Sequence, residues 1–145
     1  MDRTGPIPPL KVVLIEDSSI LRQTLGAAIG ELAGVEVVGE AEDESAAIEL
    51  LQRQQPDLAI VDLQLRAGSG IGVLRAIALN PDRFGHPRAV VFTNHVQVLI
   101  RERCLALGVE GFFDKASQMG ELLAYLRAYL RAYQHAYQHA RQSAN

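Results

Sequence analysis

Cysteine, excess positive charge and long apolar runs are all scarce in this 145-residue chain. The single cysteine, Cys104, excludes an internal disulfide and suits a reducing compartment. No stretch approaches the roughly 20 apolar residues of a membrane-spanning helix, and the first residues lack the apolar segment of a signal peptide. The net charge of −3 gives no general attraction to nucleic acid. We therefore expect a cytoplasmic protein with neither a membrane nor a nucleic-acid partner.

Short apolar runs alternate with segments of helical length along most of the chain. The runs are rich in Val and Ile and lie at residues 12–15, 35–38, 58–61, 89–92 and 109–113. Between them, apolar residues recur every three or four positions, as on one face of an amphipathic helix. Strands that are apolar throughout are typical of a parallel sheet buried on both faces. The pattern predicts an α/β fold, a doubly wound sheet of five parallel strands with helices on both faces.

Local signals add boundaries to this prediction. Residues 1–10 are Pro-rich and are predicted to form a flexible leader before one folded domain at residues 11–133. Asp43 and Ser117 are predicted to cap the second and last helices, and Pro56 to end the second.

Polar residues stand where the predicted strands end. Glu16 and Asp17 follow the first strand and Asp62 follows the third. Thr93 ends the fourth strand and Lys115 follows the fifth. In doubly wound sheets the site lies outside the carboxyl ends of the strands, so these groups are expected to converge on one edge.

The residue types indicate a cation and a phosphoryl group. Three neighbouring carboxylates repel one another, and a hard cation such as Mg²⁺ relieves that repulsion. An ionised Asp can act as a nucleophile towards phosphorus, while Lys115 and Thr93 can bind phosphoryl oxygens. Taken singly, Asp62 could be a helix cap, Thr93 ordinary strand filling and Lys115 a solvated cation. The coincidence of all five at strand ends favours the functional interpretation.

With these residues in this order, the chain resembles the receiver domain of two-component response regulators, a flavodoxin-like fold, over about residues 11–133. The resemblance depends on the following elements: the Glu16-Asp17 pair, the segment Asp57–Asp62, Gly70, Thr93 and the segment Gly111–Lys115. Each element is unspecific alone, whereas their combined order and spacing are highly specific.

The resemblance implies a role for each site residue. Asp62 would accept a phosphoryl group from a phosphohistidine of a sensor histidine kinase or a phosphotransfer protein. Asp17, Asp62, Glu16 (directly or through water) and the backbone carbonyl of Gln64 would bind Mg²⁺ or Mn²⁺. Thr93 and Phe112 would act as a switch between the site and the surface of the fourth helix, fifth strand and fifth helix. The protein would thus be a phosphoacceptor with self-catalysed phosphorylation and dephosphorylation rather than an enzyme.

The resemblance also implies that Gln64 and His95 tune the lifetime of the phosphate; His95 as a solvated loop residue remains an equal alternative. Two positions depart from the family pattern. Arg66 stands where a Pro commonly follows the acceptor by four residues, and Ala116 stands where a Pro often follows Lys115 through a cis bond. The Lys115–Ala116 bond is therefore either trans or strained.

The output is predicted to pass through protein contacts, because no helix-turn-helix and no basic stripe is evident. In the fourth helix a core-facing stripe of Val96, Ile100, Cys104 and Leu107 would leave Val98 and Leu99 exposed. A downstream target or a second copy could bind the surface of the fourth and fifth helices; that Val98 and Leu99 are ordinary, singly exposed aliphatic residues remains an equal alternative. The alternatives are the receiver half of a longer DNA-binding regulator, a binding module that has lost phosphorylation, and an aspartate-nucleophile phosphatase. The phosphatase would need a second Asp at position 64, where this chain has Gln64.

The last segment repeats every four residues through the tyrosines at positions 125, 129, 133 and 137. Without Gly or Pro, residues 134–145 are predicted to extend the last helix and to end in a polar tail. This extension could pack against a partner or a second copy, or it could be a fraying, solvated helix. His135 and His139 lie four residues apart, but without a carboxylate nearby a zinc site is disfavoured.

Overall fold

A computed structural model describes residues 6–143 and shows the predicted doubly wound α/β fold. Its strands are β1 (Leu10–Ile15), β2 (Val35–Ala41), β3 (Leu58–Val61), β4 (Arg88–Thr93) and β5 (Gly111–Asp114). Its α-helices are α1 (Ser19–Gly30), α2 (Glu44–Gln54), α3 (Gly70–Leu79), α4 (Val98–Ala106) and α5 (Met119–Ser143). A short 3-10 helix at Pro81–Phe84 precedes β4.

The five strands are parallel and lie in the order β2-β1-β3-β4-β5. The strand order reverses between β1 and β3, so the crevice for a ligand lies at the carboxyl ends of these two strands. The backbone of Asp62 hydrogen-bonds back to β1, with its N–H 2.9 Å from the Ile15 carbonyl oxygen. This register brings the residue after β3 level with the residues after β1.

Two apolar cores cover the two faces of the sheet. Side chains of α2, α3 and α4 pack on one face. Those of α1 and α5 pack on the other face, where Leu122, Leu126 and Leu130 of α5 are buried at four-residue intervals. Both faces of the central strands are buried. This explains why apolar and polar residues do not alternate along β1, β3 and β4.

One of the two predicted helix caps is present in the structure. The Asp43 carboxylate accepts a hydrogen bond from the Ala46 N–H at the start of α2, as predicted. This helix ends at Gln54, just before Pro56, with Gln55 in the left-handed region. The prediction for Ser117 is wrong, because α5 begins two residues later, at Met119. The side chain of Gln118, the residue before α5, accepts a hydrogen bond from the Asp114 N–H.

The domain boundaries also need correction. Leu10, predicted as the last residue of the leader, is the first residue of β1 and is fully buried. Residues 1–5 of the leader lie outside the described residues, as do positions 144 and 145 of the tail. The helical extension predicted from residue 134 is present, since α5 continues to Ser143.

The fourth helix differs from the predicted stripe. Val96 precedes α4 and is 45% exposed, and Cys104 is the buried residue of the stripe, with Ile100 and Leu107 half-buried. Val98 and Leu99 are 68% and 79% exposed, as predicted. Within residues 6–143 no helix is long and apolar enough to cross a membrane.

Candidate phosphoryl-transfer site

The five polar residues predicted at the strand ends lie in one region at the carboxyl edge of the sheet. Glu16, Asp17, Asp62 and Lys115 line the same cavity, together with Gln64 and His95. Thr93 is fully buried at the end of β4, beside this cavity, and its carbonyl oxygen accepts a hydrogen bond from the Lys115 N–H at 3.0 Å. The topology therefore assembles groups that are far apart in the chain.

Three carboxylates form a compact cluster. One oxygen each of Glu16, Asp17 and Asp62 can be chosen so that all lie within 4.8 Å of one another. Glu16 and Asp62 are only 4% and 5% exposed, whereas Asp17 faces solvent. The donors are all oxygen, and no His or Cys side chain joins the cluster among the described residues. This donor set fits a hard divalent cation such as Mg²⁺ better than zinc.

Lys115 lies between the two buried carboxylates. Its ammonium group is 2.7 Å from Asp62 Oδ2 and 2.5 Å from Glu16 Oε1. Burial alone would lower the pKa of Lys115, but the hydrogen bonds to Asp62 and Glu16 outweigh it and raise the pKa. The ammonium is therefore charged at neutral pH and offsets part of the negative charge of the cluster.

Glu16 shows the cost of burying a carboxylate here. Burial raises its pKa, and the nearby Asp62 charge adds to the effect. The hydrogen bonds from Lys115 and from the Ser18 N–H, which is 2.9 Å from Glu16 Oε2, lower it in part. The net rise means that the folded chain holds a proton on Glu16 more tightly than the unfolded chain does.

The two oxygens of Asp62 differ in their contacts. Oδ2 accepts the short hydrogen bond from Lys115. Oδ1 accepts one long hydrogen bond, of 3.4 Å, from the Gln64 N–H. Oδ1 is thus the less engaged oxygen and the one more available for a new bond.

Gln64 and His95 are in contact across the mouth of the site. His95 Nε2 lies 2.9 Å from Gln64 Oε1. The backbone N–H of His95 also donates to Thr93 Oγ1 at 3.2 Å. Sequence spacing alone gave no sign that these two side chains meet.

Two further sequence predictions concern the position of Phe112 and the isomer of the Lys115–Ala116 peptide bond. Phe112 lies on the edge strand β5, paired with Val91, and is half-buried against the core on the α2, α3 and α4 face. The described chain has no cis peptide bond, so the Lys115–Ala116 bond is trans.

Sequence reasoning missed two residues that lie beside the site and contact it through side-chain hydrogen bonds. Arg22 of α1 donates from Nη1 to the Glu16 carbonyl oxygen at 2.6 Å. Glu42, which follows β2, bonds to both Arg22 and Arg66. No motif signals either contact, because each depends on how separate loops are placed.

Comparison with known proteins agrees with this geometry. Residues 12–127 match the family model described as the response regulator receiver domain. A protein-glutamate methylesterase/protein-glutamine glutaminase of Anaeromyxobacter dehalogenans is 35% identical over 83 residues, covering 57% of this chain and 22% of that protein. The probable transcriptional regulatory protein NarL of Mycobacterium tuberculosis is 30% identical over 115 residues, 79% of this chain and 51% of its own.

Among solved structures, the signal receiver domain of NarL from M. tuberculosis superposes with a TM-score of 0.75 at 26% identity. That match covers 86% of this chain and 98% of the receiver domain. The match thus covers about a fifth of the length of the methylesterase and about half of the length of NarL, but nearly all of the solved receiver domain.

Proposed function

Since the chain belongs to the response regulator receiver domain family, we propose that it accepts a phosphoryl group on Asp62 from a histidine kinase or a phosphotransfer protein. The observation that carries the proposal is the acidic cluster of Glu16, Asp17 and Asp62 with the Lys115 ammonium bound to two of its members. Receiver domains generally interact with such phosphodonors, and the identity of the donor is part of the proposal.

The transfer is a substitution at phosphorus. Asp62 Oδ1 forms the new P–O bond while the P–N bond to the donor imidazole breaks, and the imidazole leaves. Lys115 exchanges one of its two carboxylate partners, Glu16 or Asp62, for a phosphoryl oxygen. The Thr93 hydroxyl donates a hydrogen bond to a second phosphoryl oxygen. Phosphoryl transfer depends mainly on positioning and charge neutralisation, which these buried groups supply.

Mg²⁺ or Mn²⁺ is the proposed cofactor. Asp17, Asp62, Glu16 and the Gln64 carbonyl would hold the cation, which neutralises phosphoryl oxygens when bound. The cluster geometry and its all-oxygen donor set support this assignment.

The release of phosphate is proposed to be self-catalysed, so that the chain acts as a phosphoacceptor rather than as an enzyme on a separate substrate. Gln64 and His95 lie in contact at the mouth of the site, where they can limit the approach of water to the acyl phosphate. Substitution of either side chain is expected to change the lifetime of the phosphate without abolishing phosphorylation.

The output surface is proposed to be that of α4, β5 and α5, linked to the site by Thr93 and Phe112. Exposed Val98 and Leu99 on α4 support a contact with a downstream protein or a second copy. We propose that this chain acts by itself through protein contacts in the cytoplasm, without binding nucleic acid.

A second candidate is the receiver half of a longer regulator with a DNA-binding domain. The observation in its favour is that the chain matches only 51% of the transcriptional regulatory protein NarL. Comparing the end of the native reading frame with Asn145 distinguishes the two: a downstream DNA-binding segment would favour the longer regulator.

The direct test of the phosphoacceptor is intact mass after incubation with Mg²⁺ and acetyl phosphate. Wild type should gain one phosphoryl group, and Asp62→Asn should gain none. A gain in both proteins would mean that another residue is the acceptor. If neither gains mass, transfer from a phosphorylated histidine kinase becomes the deciding assay, and its failure would reject the proposal.

A further inference from the structure

A chain of ion pairs joins the loop after β3 to the acidic end of β1. Arg66 Nη1 lies 2.8 Å from Glu42 Oε2, and Glu42 Oε1 lies 2.8 Å from Arg22 Nη2. Arg22 Nη1 then donates to the Glu16 carbonyl oxygen at 2.6 Å. The bridge therefore connects the loop that carries Gln64 with the backbone of Glu16, two of the proposed contributors to the cation site.

The Arg22 end of the bridge is better protected from solvent than the Arg66 end. The Arg22 side chain is 12% exposed and also contacts Glu40 at 3.2 Å, whereas Arg66 is 72% exposed. The hydrogen bonds from Arg66 and Arg22 hold the pKa of Glu42 below its usual range, so this carboxylate is ionised at neutral pH. A backbone hydrogen bond of 3.1 Å, from the Arg66 N–H to the Glu42 carbonyl oxygen, runs parallel to the side-chain contact.

Position 66 is where the resembling receivers commonly carry a Pro. A Pro fixes the backbone φ angle, which arginine does not. An arginine at this position leaves the loop more conformational freedom unless side-chain contacts remove it. The ion pair to Glu42 is such a contact, and Glu42 is itself anchored through the largely buried Arg22.

We propose that the bridge of Arg22, Glu42 and Arg66 positions Glu16 and the Gln64 loop for cation binding. Arg66 lines the same cavity as the proposed ligands, but as a cation it cannot be a ligand itself, so its proposed role is to position the loop through Glu42. The inference rests on the proposed function, since it concerns the cation site of that function.

The direction of the change in Mg²⁺ affinity caused by Arg66→Met distinguishes positioning from simple electrostatics. Removing the positive charge of Arg66 lowers the repulsion of a nearby cation, so electrostatics alone predicts tighter Mg²⁺ binding for Arg66→Met. Loss of positioning predicts weaker binding, because the loop then keeps only its backbone hydrogen bond to Glu42 and must lose more conformational freedom when the cation binds. Partners that orient metal ligands typically change metal affinity by about 10- to 100-fold, and for this exposed arginine we expect about 3- to 10-fold.

The experiment is a calorimetric titration of the full chain with Mg²⁺. Arg66→Met should bind about 3- to 10-fold more weakly than wild type. Arg75→Met is the matched control, because Arg75 is exposed on α3 and makes no ion pair or side-chain hydrogen bond within residues 6–143. Arg75→Met should bind like wild type or slightly more tightly.

Two further variants test whether the effect passes through Glu42. Arg66→Lys retains a cation that can reach Glu42 and should recover part of the affinity. The double variant Glu42→Gln with Arg66→Met should bind no more weakly than Glu42→Gln alone, because both changes break the same contact. Thermal unfolding of each variant checks that the chain still folds.

The outcomes are distinguishable from failure of the proposed function. If wild type binds Mg²⁺ and Arg66→Met binds equally or more tightly, the bridge has no positioning role. If wild type itself does not bind Mg²⁺, the proposed cation site fails, and the inference fails with it.

Discussion

Gly70 lies where a side chain would collide with the backbone that carries Asp62. A Cβ at this position would lie 2.1 Å from the Asp62 carbonyl oxygen and 2.8 Å from Leu63 Cα. Because these are backbone atoms, the clash cannot be relieved by a rotamer change. We expect Gly70→Ala to lower the free energy of unfolding by about 1–3 kcal/mol, measured by urea denaturation.

The matched control for this prediction is Gly120→Ala at the start of α5. A Cβ on Gly120 would meet no atom within 4 Å. Alanine is the better helix former by about 1 kcal/mol at most, so this change should leave stability unchanged or raise it. If Gly70→Ala loses no more stability than Gly120→Ala, the close approach at Gly70 is relieved by a shift of the loop.

A second prediction at the scale of residues concerns how stability depends on pH through the pKa of Glu16. Because its pKa is higher in the folded chain than the ordinary value of 4.5, its contribution to stability is full below pH 4.5. That contribution is lost as the pH rises through the raised value. The pKa of Lys115 is raised above 10.5, so Lys115 keeps its charge throughout this range.

Glu16→Gln removes the buried charge at every pH. Without divalent cation at pH 7, we expect this variant to melt about 2–4 °C above wild type. The gain should shrink as the pH falls towards 4.5, because wild-type Glu16 then becomes neutral as well. A lower melting temperature for Glu16→Gln at pH 7 would mean that the ion pair with Lys115 outweighs the cost of burial.

At the scale of elements, α5 has a packed part and an exposed part. Leu130 is 8% exposed, the ring of Tyr129 lies under the guanidinium of Arg88 at 4.4 Å, and Tyr133 Oη donates to the Pro8 carbonyl oxygen. Beyond Gln134, most side chains up to Ser143 face solvent. The first part therefore contributes to the core, while the second has no core to cover within the described chain.

Two truncations should separate these parts. Ending the chain after Gln134 should change the melting temperature by about 1 °C or less, because few buried contacts are lost. Ending it after Ala128 removes Tyr129 and Leu130 and should cost about 2–5 kcal/mol. If the shorter deletion alters oligomeric state in sedimentation, the extension has a partner in a second copy.

The accuracy of the sequence predictions follows the range of the interactions that decide each element. Strand β3 coincides with its apolar run, and all four of its residues are buried in the centre of the sheet. The start of α4 was not predictable in the same way, since only Cys104 of the expected stripe is fully buried. The residue that caps a helix is also hard to predict from a single polar residue, since α5 begins at Met119 and not directly after Ser117.

The candidate site was predictable as far as strand ends determine it. Parallel strands place Glu16, Asp62 and Lys115 at one edge whatever their side chains do. The contacts from Arg22 to the Glu16 carbonyl and between Gln64 and His95 were not predictable. These contacts depend on loop conformation and rotamers, which leave no period or spacing in the sequence.

At the scale of the whole molecule, the cation site should couple to global stability. Two of its carboxylates are buried against the ends of the central strands, so unfolding destroys the site. A ligand that binds only the folded chain stabilises it in proportion to the logarithm of its concentration. We expect the melting temperature to rise with Mg²⁺, with a gain of about 2.7 kcal/mol when Mg²⁺ is at 100 times its Kd.

Asp17→Asn is the control for this coupling. Asp17 is the exposed member of the cluster, so its amide analogue should fold normally. The substitution removes a proposed cation ligand, and the melting temperature should then be nearly independent of Mg²⁺ at concentrations that stabilise wild type. If both proteins gain equally, Mg²⁺ stabilises the chain by screening its net charge of −3 and not by occupying the cluster. Replacing Mg²⁺ with NaCl of equal ionic strength would then give the same rise.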